Sequence, residues 1–103
     1  MGILDFIFGV KKRQIKAFLN QDAVILDVRT KREWESGHIP GAMHIPLNTL
    51  PNRIETIKKL NKPVIVCCAS GARSSKAAKY LNLQHINAIN GGGWQQLLKQ
   101  HAN

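Results

Sequence analysis

The stretch 64-VIVCCASGARSSKAAKYLNL-83 changes character twice along its length. Three β-branched residues lead into the adjacent Cys67 and Cys68, and a run of small residues follows. From about Arg73 to Leu83 the pattern is helical, with Ala77, Ala78, Tyr80 and Leu81 as packing positions. A short apolar run bounded by turn residues has the length of a strand buried on both faces, as in a parallel sheet. The stretch therefore predicts strand, loop and helix in succession, with Ser74 or Ser75 as the candidate cap of the helix. That junction has chemical consequences. The first N–H groups of a helix lack intrahelical partners, and with the helix dipole they form an anion site. Gly71 permits the backbone angles that turn successive N–H groups inward. Ala69, Ser70 and Ala72 leave a hollow, and Arg73 adds permanent positive charge. A sulfur placed there is favoured as thiolate and suits covalent group transfer.

Working outward, 23-AVILDV-28 is a second strand of the same buried kind. Thr30 and Glu33 have the spacing of a capping box for a short helix that carries Trp34 and stops at Gly37. The segment 38-HIPGAMHIPL-47 is extended, with a short strand around residues 42 to 45. Leu50, Ile54, Ile57 and Leu60 mark the apolar face of a helix whose other side carries Lys58 and Lys59. Residues 85-HINAIN-90 alternate like a strand that Gly91, Gly92 and Gly93 break, and Trp94 to His101 reads as a last helix. Ahead of all these, Ile15, Phe18 and Leu19 give 14-QIKAFL-19 helical spacing that ends at residues 20–22. Strands alternating with helices predict an α/β domain with a mainly parallel sheet. Ligands of such sheets bind beyond the carboxyl ends of the strands, where the cysteine pair sits.

The chain has 103 residues, the size of one domain, with no linker or repeat. Its 15 Lys and Arg against 6 Asp and Glu give a formal charge of +9, a field that favours anionic ligands. The basic residues are scattered without interleaved aromatics, so no nucleic-acid partner is expected. Adjacent cysteines make a strained disulfide, and no second ligand pair supports a zinc site. Free thiols, no metal and a reducing, cytoplasmic setting follow as expectations. The N-terminal MGILDFIFGVKKR is too short and interrupted to be a signal peptide or a membrane span. Residues 1–13 read as an extension that packs on its own domain, with a membrane surface or a partner as the other location.

Three segments, in order, resemble the rhodanese-like sulfurtransferases: 26-LDVRTKREWESGHIPGAMHIPL-47, the CASGARSS loop and 89-INGGGWQQL-97. Together they span about residues 26–97. The resemblance implies a three-layer sandwich, with a central mainly parallel sheet of four to five strands and helices on both faces. Members often begin with a short strand and helix, and because MGILDFIFGVKK is a poor strand, that first edge strand is expected to be missing or replaced by helix. The resemblance also implies a reaction: the loop cysteine takes a sulfane sulfur from a donor such as thiosulfate or a persulfide, becomes a persulfide, and passes the sulfur to cyanide, a thiol or a partner protein. No cofactor is needed, and the partners are a small anionic donor and a thiophilic acceptor.

By position in that loop the persulfide residue is Cys68, with the amides of Ala69, Ser70, Gly71, Ala72, Arg73 and Ser74 around the outer sulfur. Counting from Cys67 instead gives five residues before Arg73, the spacing of cysteine phosphatases, some of which share the fold. Val66 stands where those enzymes usually carry histidine, and Cys67 completes the apolar run as a buried packing residue. Asp27 and Arg29 match residues that shape and charge the pocket floor; the plainer alternative is an ion pair tying the strand to the helix of Glu33 and Glu35. His38 and His44 are expected in structural hydrogen bonds, and Trp34 and Trp94 in packing.

Overall fold

The computed structural model describes residues 2–102, with the side chains of residues 4–8, 10 and 102 outside the described set. Four strands make one sheet: β1 (Val24–Asp27), β2 (Met43–His44), β3 (Val64–Cys68) and β4 (Ala88–Gly93). Their order across the sheet is β2-β1-β3-β4, and every neighbouring pair is parallel. The helices are α1 (Ile3–Asn20), α2 (Lys31–Glu35), α3 (Ile54–Leu60), α4 (Ala72–Leu83) and α5 (Trp94–Ala102), and a 3-10 segment, Leu47–Arg53, leads into α3.

Side chains alternate across a strand, so β3 builds both layers of the core. Val64, Val66 and Cys68 face one way, into a cluster with Leu50, Ile54 and Ile57 and with Ala77 and Leu81 of α4. Ile65 and Cys67 face the other way, against Ile15 and Phe18 of α1 and Leu97 of α5. All five residues of β3 are buried, as an apolar run in the middle of a parallel sheet requires. Helices therefore cover both faces, and the three-layer arrangement stands with four strands.

Three of the expected elements are corrected. The first helix starts at Ile3 rather than near residue 14, so α1 takes in residues 3–13 as well. No proline interrupts this segment, and Lys11, Lys12, Arg13 and Lys16 are good helix formers. Gln100 Nε2 donates to the Lys12 carbonyl at 2.9 Å, tying α5 to the middle of α1. Ile3 of MGILDFIFGVKKR is 75 % exposed; whether its residues Leu4, Phe6, Ile7, Phe8 and Val10 pack on the domain falls on side chains outside the described residues. Among the described residues no strand precedes β1, and α1 stands where an edge strand was in question. Leu60 is 37 % exposed, so Ile54 and Ile57, together with Leu50 from the 3-10 segment, carry the buried face.

The glycines do not break the last strand. Gly91, Gly92 and Gly93 lie inside β4, and the pairing register slips there: Val66 opposes Asn90, but Cys67 opposes Gly92. Gly91 is the extra residue of a bulge. A Cβ on Gly91 would stand 2.6 Å from Ile65 Cγ2 and 3.1 Å from Leu97 Cδ2, and one on Gly93 would stand 2.9 Å from the Ala69 carbonyl oxygen. Gly91 and Gly93 are glycine because β3, its following loop and α5 approach this backbone too closely for a side chain, and Gly92 because of its φ of 83°.

Candidate active site at the end of the third strand

The last residue of β3 is Cys68, and after the three residues 69–71 the chain enters α4. Gly71 caps that helix in a left-handed conformation, φ 106°, with no side-chain cap. The serines are therefore not the cap. Ser74 is wholly buried in the first turn, and its hydroxyl is turned inward to the sulfur. Gly71 is required on two counts: its φ, and the 3.3 Å that a Cβ would have to the Gly92 Cα.

Around Cys68 Sγ the donors converge. Gly71 N–H donates to Sγ at 3.0 Å and Ser74 N–H at 3.4 Å, and Ser74 Oγ stands 3.3 Å away. Cys68 is only 1 % exposed. Burial acts to raise its pKa, but the Ser74 hydroxyl and the amides of Ser74, Gly71 and Ser70 outweigh it and hold the thiol below its ordinary value. The Ser74 hydroxyl has one proton and two claimants, since Asn90 Oδ1 lies 2.6 Å from Ser74 Oγ. With Cys68 a thiol, the S–H donates to Ser74 Oγ and the hydroxyl proton goes to Asn90; with Cys68 a thiolate, that proton turns to the sulfur.

Cys67 lives under opposite conditions. It is wholly buried on the other face of the sheet among Ile15, Ile39, Ile65 and Leu97. Burial first, and then the Asp27 carboxylate, push its thiol up to about 12. Both cysteines are free.

Asp27 and Arg29 also lie away from Sγ. Asp27 ends β1 opposite Cys67, on the face that Ile25 shares, and both residues are buried. Arg29 binds the Asp27 carboxylate through Nε and Nη2 at 2.8–3.0 Å. Its Nη1 donates to the Glu33 carbonyl at 3.2 Å and its Nη2 to the Gly37 carbonyl at 2.7 Å. The guanidinium also stacks 4.7 Å from the Trp94 ring. This pair straps the end of β1 to α2 and the turn after it, beneath the site.

The histidines of the neighbouring turns hold backbone. His38 Nδ1 pairs with the Trp34 carbonyl and His44 Nε2 with the Arg29 carbonyl, both at 2.8 Å. Both rings stack on Trp34, with centroids 3.6 and 4.7 Å away. Among the described residues no group of three His, Cys, Asp or Glu is placed to hold a metal, and no helix is long and apolar enough to cross a membrane.

The Rhodanese-like domain model matches residues 11–100. This chain belongs to the rhodanese-like family. Its relatives include the thiosulfate sulfurtransferase GlpE of Pseudomonas syringae, 33 % identical over 86 residues, which cover 81 % of this chain and 80 % of the relative. Among solved structures, a rhodanese-like domain protein from Staphylococcus aureus is 37 % identical with a TM-score of 0.67 and 74 % of each chain covered. A rhodanese-related protein from Thermoplasma volcanium is 26 % identical with a TM-score of 0.71, covering 86 % of this chain and 88 % of that one.

In this rhodanese-like chain two further residues brace the loop from behind its donors. Asn90 locks the loop to β4: its Oδ1 accepts from Ser74 Oγ and from Gly92 N–H at 2.9 Å, and its Nδ2 donates to the Gly71 carbonyl at 3.0 Å. Glu33 closes the capping box with Thr30 and also binds Arg73 in a two-pronged pair, Oε1 to Nη1 at 2.7 Å and Oε2 to Nη2 at 2.9 Å. The Arg73 hydrogen bond is the main reason its carboxyl is lowered to about 2. Asn90 carried no local signal. The capping-box spacing pointed to Glu33, but to its role in α2 alone.

Proposed function

We propose that this chain is a sulfurtransferase that moves a sulfane sulfur through a persulfide on Cys68. The observation that carries the reading is the contrast at the end of β3: Cys68 Sγ is met by two loop amides and a hydroxyl, while its neighbour is sealed in the opposite layer. The Cys68 thiolate attacks the outer sulfur of a donor such as thiosulfate or a persulfide. The Sγ–S bond forms as the donor's S–S bond breaks, and the electron pair leaves with sulfite or with a thiolate. The new terminal sulfur carries the negative charge, and the amides of residues 69–74 are the groups that hold it. A thiophilic acceptor (cyanide, a thiol or a cysteine of a partner protein) then attacks that sulfur and Cys68 leaves as thiolate, a departure favoured by its lowered pKa.

The +9 charge suits an anionic donor, and two free thiols suit a reducing, cytoplasmic setting. Phosphatase chemistry through Cys67 would need a thiolate in a wholly buried apolar layer, where the thiol is pushed up to about 12. The test is thiocyanate formation from thiosulfate and cyanide, with intact mass to count added sulfur. Cys68→Ser is expected to lose both the turnover and the added sulfur, and Cys67→Ala to keep them. The reverse pattern would overturn the assignment.

A further inference from the structure

Arg73 is the loop's own cation, at the second position of α4, and its charge is already paired. Two of its five N–H groups, one on each Nη, go to the Glu33 carboxylate, and the two side chains remain about one-third exposed, 35 % and 34 %. Glu33 reaches across from α2, where its Oε1 also accepts from the Thr30 N–H and hydroxyl at 3.0 Å each. The pair is thus held from both sides. A carboxylate is therefore paired with the cation carried by the first turn of α4, the positive end of that helix. Lys11 is another cation near this backbone, with its Nζ 3.8 Å from where a Cβ on Gly92 would be.

We propose that Glu33 sets donor preference by neutralising Arg73, so that the site discriminates against the dianion thiosulfate and favours donors with a single negative charge at the reacting end, such as an alkyl persulfide. The inference rests on the sulfurtransferase reading above. Once Cys68 is a thiolate, the loop offers the amides, roughly half a unit of helix-end charge and an Arg–Glu pair of zero net charge. A donor bearing two negative charges meets more repulsion there than a donor bearing one. Glu33 acts here as a positioning residue, since it works through Arg73 and touches no reacting atom.

Glu33→Gln isolates this role, because glutamine at the third helical position still closes the capping box with Thr30 while its pull on Arg73 is lost. The readout is loading of Cys68 with sulfur, followed by intact mass against concentration of thiosulfate or of 2-hydroxyethyl persulfide. In Glu33→Gln the half-saturating thiosulfate concentration is expected to fall about five-fold, the persulfide value to move less than about two-fold, and the maximal loading rate to stay within about two-fold for both. A rise in the thiosulfate value, an equal shift for both donors or no shift at all would overturn the inference, and an equal shift would mean that Glu33 only braces α2 against α4. If neither donor loads the wild-type protein, the sulfurtransferase reading falls first and takes this inference with it. If wild type loads and the selectivity is unchanged in Glu33→Gln, only this inference falls.

Discussion

Cys67 and Cys68 are consecutive residues with the same side chain, yet the layers they enter have nothing in common. Cys67 points into the layer under α1 and α5, where its neighbours are Ile15, Ile39, Ile65 and Leu97. Cys68 points the other way, where the strand runs out and the amides of Gly71 and Ser74 take over. The difference comes from strand pleat, which alternates side chains between faces, and from one junction, where β3 gives way to the opening turn of α4. Sequence neighbours thus acquire thiols shifted in opposite directions, one chiefly by burial with the Asp27 carboxylate adding to it, and one by hydrogen bonds that outweigh burial.

The widest gap between the two should appear in reactivity. Thiolate is the reacting form, and a thiol at about 12 is almost wholly protonated at neutral pH. Iodoacetamide at pH 8 is expected to label Cys68 at least about 10³-fold faster than Cys67, read by peptide mass mapping. For Cys68 the rate should rise with pH through a midpoint below 9.0, since its folded-state pKa is depressed. Labelling of Cys67 first, or a Cys68 midpoint above 9.0, would break the contrast.

That contrast was legible in the chain because it rests on local signals. The apolar runs 23–28 and 63–67, the Thr30–Glu33 spacing and the small residues after Cys68 each announce a piece of structure over a few positions. What escaped depends on residues far apart in sequence. Glu33 and Arg73 are separated by 40 residues, and no local pattern relates them. Asn90 looked like one polar position in an alternating strand, yet its amide engages the loop 16 and 19 residues away. The glycine run was read as a strand end because glycine is a poor strand former; its presence inside β4 makes sense only once the Ala69 carbonyl and the Ile65 side chain are seen against it. Ser74 was read as a cap for a similar reason, since serine commonly caps helices and nothing local reveals that Gly71 already does so.

The glycines offer a way to disturb one side of the comparison at a time. Gly91→Ala would drive a Cβ against Ile65 Cγ2 and Leu97 Cδ2, both in the Cys67 layer. Overpacking of that kind costs about 1–3 kcal/mol, which for a domain of this size lowers Tm by roughly 5–20 °C. Gly93→Ala meets the Ala69 carbonyl oxygen instead, so its effect should fall on the loop and on the Cys68 labelling rate. Thermal melts paired with labelling would separate the two. An unchanged Tm in Gly91→Ala, or normal labelling in Gly93→Ala, would show that the two layers are not insulated as described.

The smallest effect should come from Ser74, and it tests why Cys68 differs at all. The sulfur has two amides and one hydroxyl, and only the hydroxyl can be removed without altering the backbone. Ser74→Ala leaves both amides in place and deletes the proton that turns to the thiolate. The labelling midpoint of Cys68 is then expected to rise by about one pH unit, a roughly tenfold loss of thiolate well below the midpoint. Asn90 loses a donor in the same variant but keeps its bonds to Gly92 N–H and the Gly71 carbonyl, so the loop should hold its place. A midpoint that does not move would assign the whole depression to the backbone amides. A midpoint that falls would mean that the hydroxyl serves mainly as acceptor for the Cys68 S–H, with Asn90 keeping its proton in both states.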